Sequence, residues 1–90
     1  MTITEVRVSL RHEGKLRAYA TITIDDCFVI RRLKIIEGGR GHFIAFPSRR
    51  RPDGHYQDLC HPINNETRWQ IEETVLQAYS AVLERRAMVQ

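Results

Sequence analysis

Hydrophobic and polar residues alternate along the first part of this chain. Val6, Val8 and Leu10 alternate with polar residues, and residues 16–24 repeat the pattern more regularly. A period of two residues is typical of a strand with one buried face. The segment His12-Glu13-Gly14-Lys15 separates the two runs, and Gly14 can adopt the positive φ that a short turn needs. The pattern therefore predicts a β-hairpin at the start of the chain.

Further short strands are predicted before residue 60. Residues 27–36 are rich in apolar residues that do not alternate regularly, which predicts a bulge or burial on both faces. Glycines then mark a turn, residues 42–47 predict a short strand, and residues 55–60 predict a fifth. Arg51-Pro52-Asp53-Gly54 has the signature of a type I turn. We therefore expect about five mostly antiparallel strands between residues 3 and 60.

The end of the chain predicts one helix, over about residues 65–86. Asn64 or Asn65 can cap its first turn, where Glu66 also suits the helix dipole. The apolar residues of this segment form two stripes. One stripe contains Ile71, Val75, Ala78 and Val82, and the other contains Trp69, Leu76 and Leu83.

One stripe is enough to pack the helix on the sheet, so the second needs another partner. The simplest partner is a second copy of the chain, which predicts a homodimer interface at Trp69, Leu76 and Leu83. The alternative is a monomer whose helix is unusually apolar. The fold class that follows is α+β, with the helix packed on the sheet and on a dimer partner.

The length of 90 residues predicts a single domain over residues 1–90. No stretch is apolar and long enough for a membrane span, and the first residues lack the layout of a secretory signal. Cys27 and Cys60 are therefore expected to be reduced thiols in the cytoplasm and to be buried as small apolar residues, with a disulfide as the weaker alternative.

Charge is segregated along the chain although the net charge is only +3. Residues 31–51 hold seven basic residues against one acid, and residues 53–84 hold six acids against Arg68. Such a division favours a bipolar surface whose basic side meets an anionic partner. Two solvated faces of different charge would give the same counts.

Catalytic and metal-binding chemistry find little support in the sequence. The histidines and cysteines lack zinc-ligand spacing, and Cys60 and His61 would point to opposite faces of a strand. The glycines at 38, 39 and 41 form no phosphate-binding motif. We therefore expect neither enzymatic activity nor a cofactor, a metal or a small-molecule substrate.

Three consecutive arginines remain as the candidate site. Arg49, Arg50 and Arg51 stand between Pro47 and Pro52, and their mutual repulsion costs stability unless an anion lies among them. Arginine donates two parallel hydrogen bonds to phosphate, and the flanking prolines reduce the entropy lost on binding. A solvated loop is the alternative.

The segment F-I-A-F-P-S-R-R-R-P-D-G-H-Y-Q-D, followed by H-P-I-N and T-R-W-Q-I, resembles the SpoVG family, which is named for stage V of sporulation. The segments T-E-V-R-V and A-T-I-T-I-D-D-C-F-V-I match it as well, so that the resemblance covers roughly residues 3–80. It implies a small bacterial cytoplasmic protein that forms a homodimer, regulates division and sporulation, and binds DNA and RNA. The family more usually has lysine, arginine and threonine where this chain has three arginines.

The resulting hypothesis is a homodimeric regulator that binds nucleic acid, DNA and possibly RNA, without a membrane or small-molecule partner. The residues predicted to contact phosphates are Arg49, Arg50, Arg51, Arg40 and Lys34. His55 and Tyr56 are predicted to stack on bases, and Arg68 is a weaker candidate. The alternative hypothesis is a dimeric interaction module whose basic turn docks on an acidic protein, without binding nucleic acid directly.

Overall fold

A computed structural model describes residues 1–89 of the chain. These residues form an antiparallel four-stranded sheet, a separate two-stranded sheet and one C-terminal helix. The four-stranded sheet has the order β1-β2-β3-β4, and β5 pairs with β6 in the second sheet. The elements are β1 (Ile3–Glu13), β2 (Leu16–Ile24), β3 (Phe28–Gly38), β4 (Gly41–Ala45), β5 (Ser48–Arg50), β6 (Tyr56–Asp58) and α1 (Asn65–Val89).

The core lies between one face of the four-stranded sheet and the helix. Alternation along β2 turns its small and branched residues to this face, where they meet the apolar stripe of the helix. The buried members of the core are Ala18, Ala20, Ile22, Leu33, Ile35, Ile44, Phe46, Ile71, Val75 and Tyr79. The helix covers only this face, so that the opposite face of the sheet has no covering element within residues 1–89.

Local backbone conformations connect and bend the strands. Gly14 has a φ of 64° in the two-residue turn between β1 and β2, as the sequence predicted. Asp25 and Asp26 also have positive φ, at 52° and 55°, and close the turn between β2 and β3. The pairing of β2 with β3 shifts between Ala20 and Ile22, and Arg32 on β3 has a φ of 63°. The predicted irregularity of this segment is therefore a bulge.

A surface ion pair links the start of β2 to the end of β3, away from the turn that connects these strands. The Arg17 Nε donates to the Glu37 Oε2 at 2.9 Å, and Arg17 Nη2 contacts the same oxygen. This hydrogen bond, together with the positive charge of Arg17, holds the pKa of the Glu37 carboxyl below its ordinary value.

The helix begins with the cap that its sequence predicted. The Thr67 backbone N–H donates to the Asn64 Oδ1 at 2.8 Å, which identifies Asn64 as the capping residue. The helix ends at Val89, slightly beyond the expected residue 86. Of its two apolar stripes, the one that packs on the sheet buries Ile71, Val75 and Tyr79.

The predicted α+β class is confirmed, with antiparallel strands followed by one C-terminal helix. The strand between residues 48 and 50 was not predicted as a strand, and it contains two of the three arginines.

Both cysteines are free thiols. The prediction that Cys27 is buried was wrong, because it ends the exposed turn between β2 and β3. Within residues 1–89, no helix combines the length and apolar character that crossing a membrane requires.

Candidate functional site

The three arginines lie on a hairpin that projects from the main sheet, which we call the arginine arm (residues 48–58). Its turn is the predicted one, since the Gly54 N–H donates to the Arg51 carbonyl at 2.9 Å. The Arg51 N–H donates to the His55 carbonyl at 2.7 Å and continues the strand pairing into the turn. The Asp53 Oδ1 accepts from the His55 N–H at 3.0 Å. Gly54 has a φ of 90°, which a side chain would disfavour.

Hydrogen bonds and not burial hold the arm in shape. Every residue from Ser48 to Leu59 is exposed, so the hairpin has no core of its own. At its base, the Leu59 N–H donates to the Pro47 carbonyl at 2.7 Å, which closes the arm at the end opposite to the turn. A two-stranded hairpin without an apolar face is marginally stable in water. Its order therefore depends on the turn, the fixed φ of Pro52 and this closing bond.

The three arginines do not point to one side of the arm. The register pairs Arg50 with Tyr56 and Arg49 with Gln57. Because successive side chains on a strand alternate between faces, Arg49 lies opposite to Arg50. The backbone bond between Arg51 and His55 places both of these residues on the Arg49 side. We call this side the Arg49 face (Arg49, Arg51, His55, Gln57) and the other the Arg50 face (Ser48, Arg50, Tyr56, Asp58).

The two faces of the arm differ in charge. The Arg49 face carries two guanidinium groups and a histidine. On the Arg50 face, the single arginine shares the surface with the carboxylate of Asp58. Among residues 1–89, Arg49, Arg50 and Arg51 form no ion pair within 4.0 Å. Asp53 lies beside His55, but the two guanidinium groups of the Arg49 face have no charge partner within residues 1–89.

The predicted base-stacking residues lie on opposite faces of the arm. Tyr56 is 71% exposed on the Arg50 face. The His55 ring is on the Arg49 face, with its Nδ1 at 3.4 Å from the Asp53 Oδ1. The two rings cannot stack on the same flat base, although each is accessible to a different one.

The base of the arm meets the first turn of the helix. Phe46, the buried residue that precedes the arm, has the Arg68 guanidinium carbon 5.9 Å from its ring centroid. A surface cavity of about 390 Å³ lies between β6 and α1, lined by Tyr56, Gln57, Asp58, His61 and Arg68. Arg68 is thus the helix residue that the structure brings to the arm.

Cys60 follows the arm by two residues. Its partial burial, and then the charge of Asp58, raise the pKa of the Cys60 thiol.

The two other predicted basic residues lie apart from each other. Lys34 pairs with Ala45, three residues before the arm begins, and its side chain is exposed. Arg40 occupies the turn between β3 and β4, at the other end of β4 from the arm. Lys34 therefore extends the basic surface at the base of the arm, whereas Arg40 forms a separate exposed charge.

Arg31 and Arg32 were counted in the basic segment of residues 31–51 but were not predicted as site residues, and the structure places both on β3 at its bulge. Both are exposed, and they precede the part of β3 that pairs with β4. Two basic residues in a run that does not alternate were the available signal, but that pattern cannot show which way each side chain turns.

The predicted dimer-interface residues divide into exposed and packed positions. Trp69 is 77% exposed and Leu83 is 40% exposed. Leu76 lies between them in sequence, is partly buried, and packs against the core of its own chain. The helix thus leaves two large apolar side chains uncovered at the ends of the predicted stripe.

The described residues contain no cluster of three or more histidine, cysteine, aspartate or glutamate side chains that could hold a metal ion. The arm instead offers guanidinium groups, an imidazole and a phenol to solvent. These groups bind anions and stack on planar rings.

Comparison with known proteins identifies relatives over nearly the whole chain. A family model described as SpoVG matches residues 1–81. A protein from Anaeromyxobacter sp. (strain Fw109-5) is 54% identical over 87 residues, which cover 97% of this chain and 90% of that protein. A protein from Bdellovibrio bacteriovorus is 48% identical, covering 92% of this chain and 77% of its own length. A protein from Caldicellulosiruptor bescii is 45% identical, covering 92% of this chain and 96% of its own length. Each bears the name "Putative septation protein SpoVG".

Proposed function

This chain belongs to the SpoVG family, and on that premise we propose that it is a cytoplasmic regulatory protein that binds nucleic acid through the arginine arm. The proposed role is in bacterial cell division, as the name of the relatives indicates, or in developmental gene regulation. The observation that carries the proposal is that Arg49 and Arg51 share one face of a hairpin of defined shape and have no charge partner among residues 1–89.

The chemistry of the arm fits a phosphate backbone. Arg49 and Arg51 lie two residues apart on one face, about 7 Å along the strand direction. Adjacent phosphates of one nucleic-acid strand can therefore each meet a separate guanidinium group, with Arg68 and Lys34 flanking the arm at its base. Contacts of this kind supply affinity and position without reading the sequence.

Removal of the three arginines tests this proposal. We expect the triple variant Arg49→Ala, Arg50→Ala and Arg51→Ala to lose its gel shift with duplex DNA at low salt. Circular dichroism should be unchanged because the three side chains are exposed. A matched control changes Lys15, Arg85 and Arg86 to alanine, which removes the same charge from the β1–β2 turn and the end of the helix. Retained binding by the arm variant, or equal loss in the control, would contradict the proposal.

Two further measurements separate nucleic acid from an acidic protein as the partner. If the arm docks on a protein, pull-down partners should persist after nuclease treatment, and naked oligonucleotides should bind weakly. If the arm binds phosphates, binding to naked oligonucleotides should fall steeply with salt, since each neutralised phosphate releases counterions.

We also propose that the chain acts as a homodimer through the helix. Trp69 and Leu83 are exposed, and burial of such side chains against a second copy would remove apolar surface from water. The double variant Trp69→Ala and Leu83→Ala should sediment as a monomer. Met88→Ala, which removes another exposed apolar side chain near the end of the helix, is the control that should leave the sedimentation unchanged.

A further inference from the structure

The uncovered face of the four-stranded sheet carries a basic and partly aromatic surface of its own, which we call the open sheet face. Its members are identified by the strand pairing, which aligns Glu5 with Thr23, Arg7 with Thr21, Ser9 with Tyr19, Tyr19 with Lys34, and Ile36 with Phe43. Paired residues lie on the same face of a sheet. Arg31 belongs to this face as well, because it lines one cavity with Arg7, Thr21 and Val29.

Positive charge dominates this face. Arg7, Arg11, Arg31 and Lys34 contribute basic side chains. The carboxylate of Glu5, which lines the same cavity of about 470 Å³, is paired with Arg7 at 3.0 Å. Two copies of the chain would oppose like charges if they stacked on this face. An anionic partner fits it better.

Aromatic rings stand beside these charges. Phe43 is 45% exposed although it lies on a strand. A Cβ at Gly38 would approach the Phe43 ring to 3.1 Å, so the glycine allows the ring to lie close to the backbone of β3. Tyr19 has the Arg11 guanidinium carbon 5.4 Å from its ring centroid. Both rings are thus fixed by neighbouring groups, and Phe43 leaves much of its surface to solvent.

We propose that the open sheet face binds single-stranded nucleic acid, with Phe43 stacking on a base and with Arg31 and Lys34 contacting phosphates. Four-stranded sheets with exposed aromatic rings hold two or three unpaired bases in this way. Duplex DNA offers no unstacked base to such a flat surface, so Phe43 has no role in duplex binding. The proposal rests on the proposed function, that this chain binds nucleic acid, and adds a second contact surface and a preference for unpaired strands.

The path between the two surfaces is short. Lys34 pairs with Ala45, which is followed after two residues by the first residue of the arginine arm. A single strand that lies across the sheet can therefore continue from Phe43 past Lys34 to the arm. Duplex DNA is limited to the arm and to the basic residues that flank its base.

The test compares a short single-stranded DNA oligonucleotide with the duplex made from it, using fluorescence anisotropy and full-length protein. Phe43→Ala should weaken single-strand binding about tenfold, the loss expected for one stacked base, and leave duplex binding unchanged. Phe43→Trp should retain single-strand binding. The matched control is Phe28→Ala, because Phe28 is 61% exposed but pairs with Ile24 on the helix side of the sheet.

A second variant keeps the test valid if Phe43→Ala does not fold. Arg31→Ala removes an exposed charge of the open sheet face that lies apart from the arm, and we expect a selective loss of single-strand binding. Ultraviolet cross-linking of a bromodeoxyuridine-containing strand to the unaltered protein should place cross-links on peptides that contain Tyr19 or Phe43.

Each outcome decides between the two proposals. If single-strand and duplex binding fall equally in the Phe43 and Arg31 variants, or if cross-links map to the arm alone, the open sheet face is not a binding surface and the arm remains one. If Phe43→Ala changes the oligomeric state, the face is an interface between copies of the chain, and the inference is wrong. If the unaltered protein binds neither oligonucleotide, the proposed function itself fails.

Discussion

The two faces of the arginine arm make a quantitative prediction about salt dependence. If duplex phosphates meet the Arg49 face, the double variant Arg49→Ala and Arg51→Ala removes both contacts, whereas Arg50→Ala removes none. The physical basis is the register, which turns Arg50 away from the other two arginines and beside Asp58.

The magnitude follows from counterion release. Each phosphate neutralised on duplex DNA contributes about 0.9 to the slope of log affinity against log salt concentration. The double variant should therefore lower the steepness of the slope by about 1.8 for each arm that contacts the duplex. Between 50 and 200 mM salt, about 0.6 log units, the unaltered protein should lose about twelvefold more affinity than the double variant. Arg50→Ala should leave the slope nearly unchanged.

Anisotropy titrations of one labelled duplex over a salt series measure these slopes. The control with the same loss of charge as the double variant is Arg85→Ala with Arg86→Ala, at the end of the helix. Equal reductions of the salt slope in the three single variants Arg49→Ala, Arg50→Ala and Arg51→Ala would refute the assignment of faces. So would a larger reduction from Arg50→Ala than from the double variant.

Three further predictions concern single groups. Gly54→Ala strains a turn residue with a φ of 90°, so arm amides should exchange faster and duplex binding should weaken, with the thermal midpoint unchanged. Because folding lowers the pKa of Glu37, its ion pair stabilises the fold at a pH above the unfolded pKa, and this stabilisation is lost as the pH falls through the folded pKa. In Arg17→Ala, the pKa of the Glu37 carboxyl measured by NMR should rise. Alkylation should be faster at exposed Cys27 than at Cys60, whose raised pKa reduces its thiolate fraction near neutral pH.

Two of these predictions have a control on the same chain, and the third has an outcome that contradicts it. Gly14→Ala strains a turn with a φ of 64° remote from the arm, and it should leave duplex binding unchanged. Loss of binding in both glycine variants would mean that the effect is not local. Asp58→Asn should accelerate alkylation of Cys60, because the Asp58 charge contributes to its raised pKa. An unchanged Glu37 pKa in Arg17→Ala would show that the ion pair does not form in solution.

Much of the fold was predictable because its signals are local. Alternation along residues 16–24 identified a strand with one buried face, and Gly14 and Asn64 marked a turn and a helix cap where the structure has them. The turn from Arg51 to Gly54 was likewise read from residue types whose backbone preferences are strong.

The candidate site was less predictable because it depends on register. Three consecutive arginines indicate a concentration of charge, but a strand sends them to alternating faces, and only the pairing of β5 with β6 assigns them. The residues before Arg32 and after it could not be assigned to faces either, since a bulge changes the phase of the alternation. Leu76 shared a spacing of seven with Trp69 and Leu83, yet the helix turns it toward its own core.

The arm carries its charges on a segment that contributes nothing to the buried core. Substitutions there can alter affinity and partner preference while the free energy of unfolding stays constant, provided that the turn and the closing bond at Pro47 persist. Binding and folding are thus encoded in separate parts of the chain. A set of proteins with one common scaffold could differ in their targets by exchanging a hairpin of eleven residues, from Ser48 to Asp58.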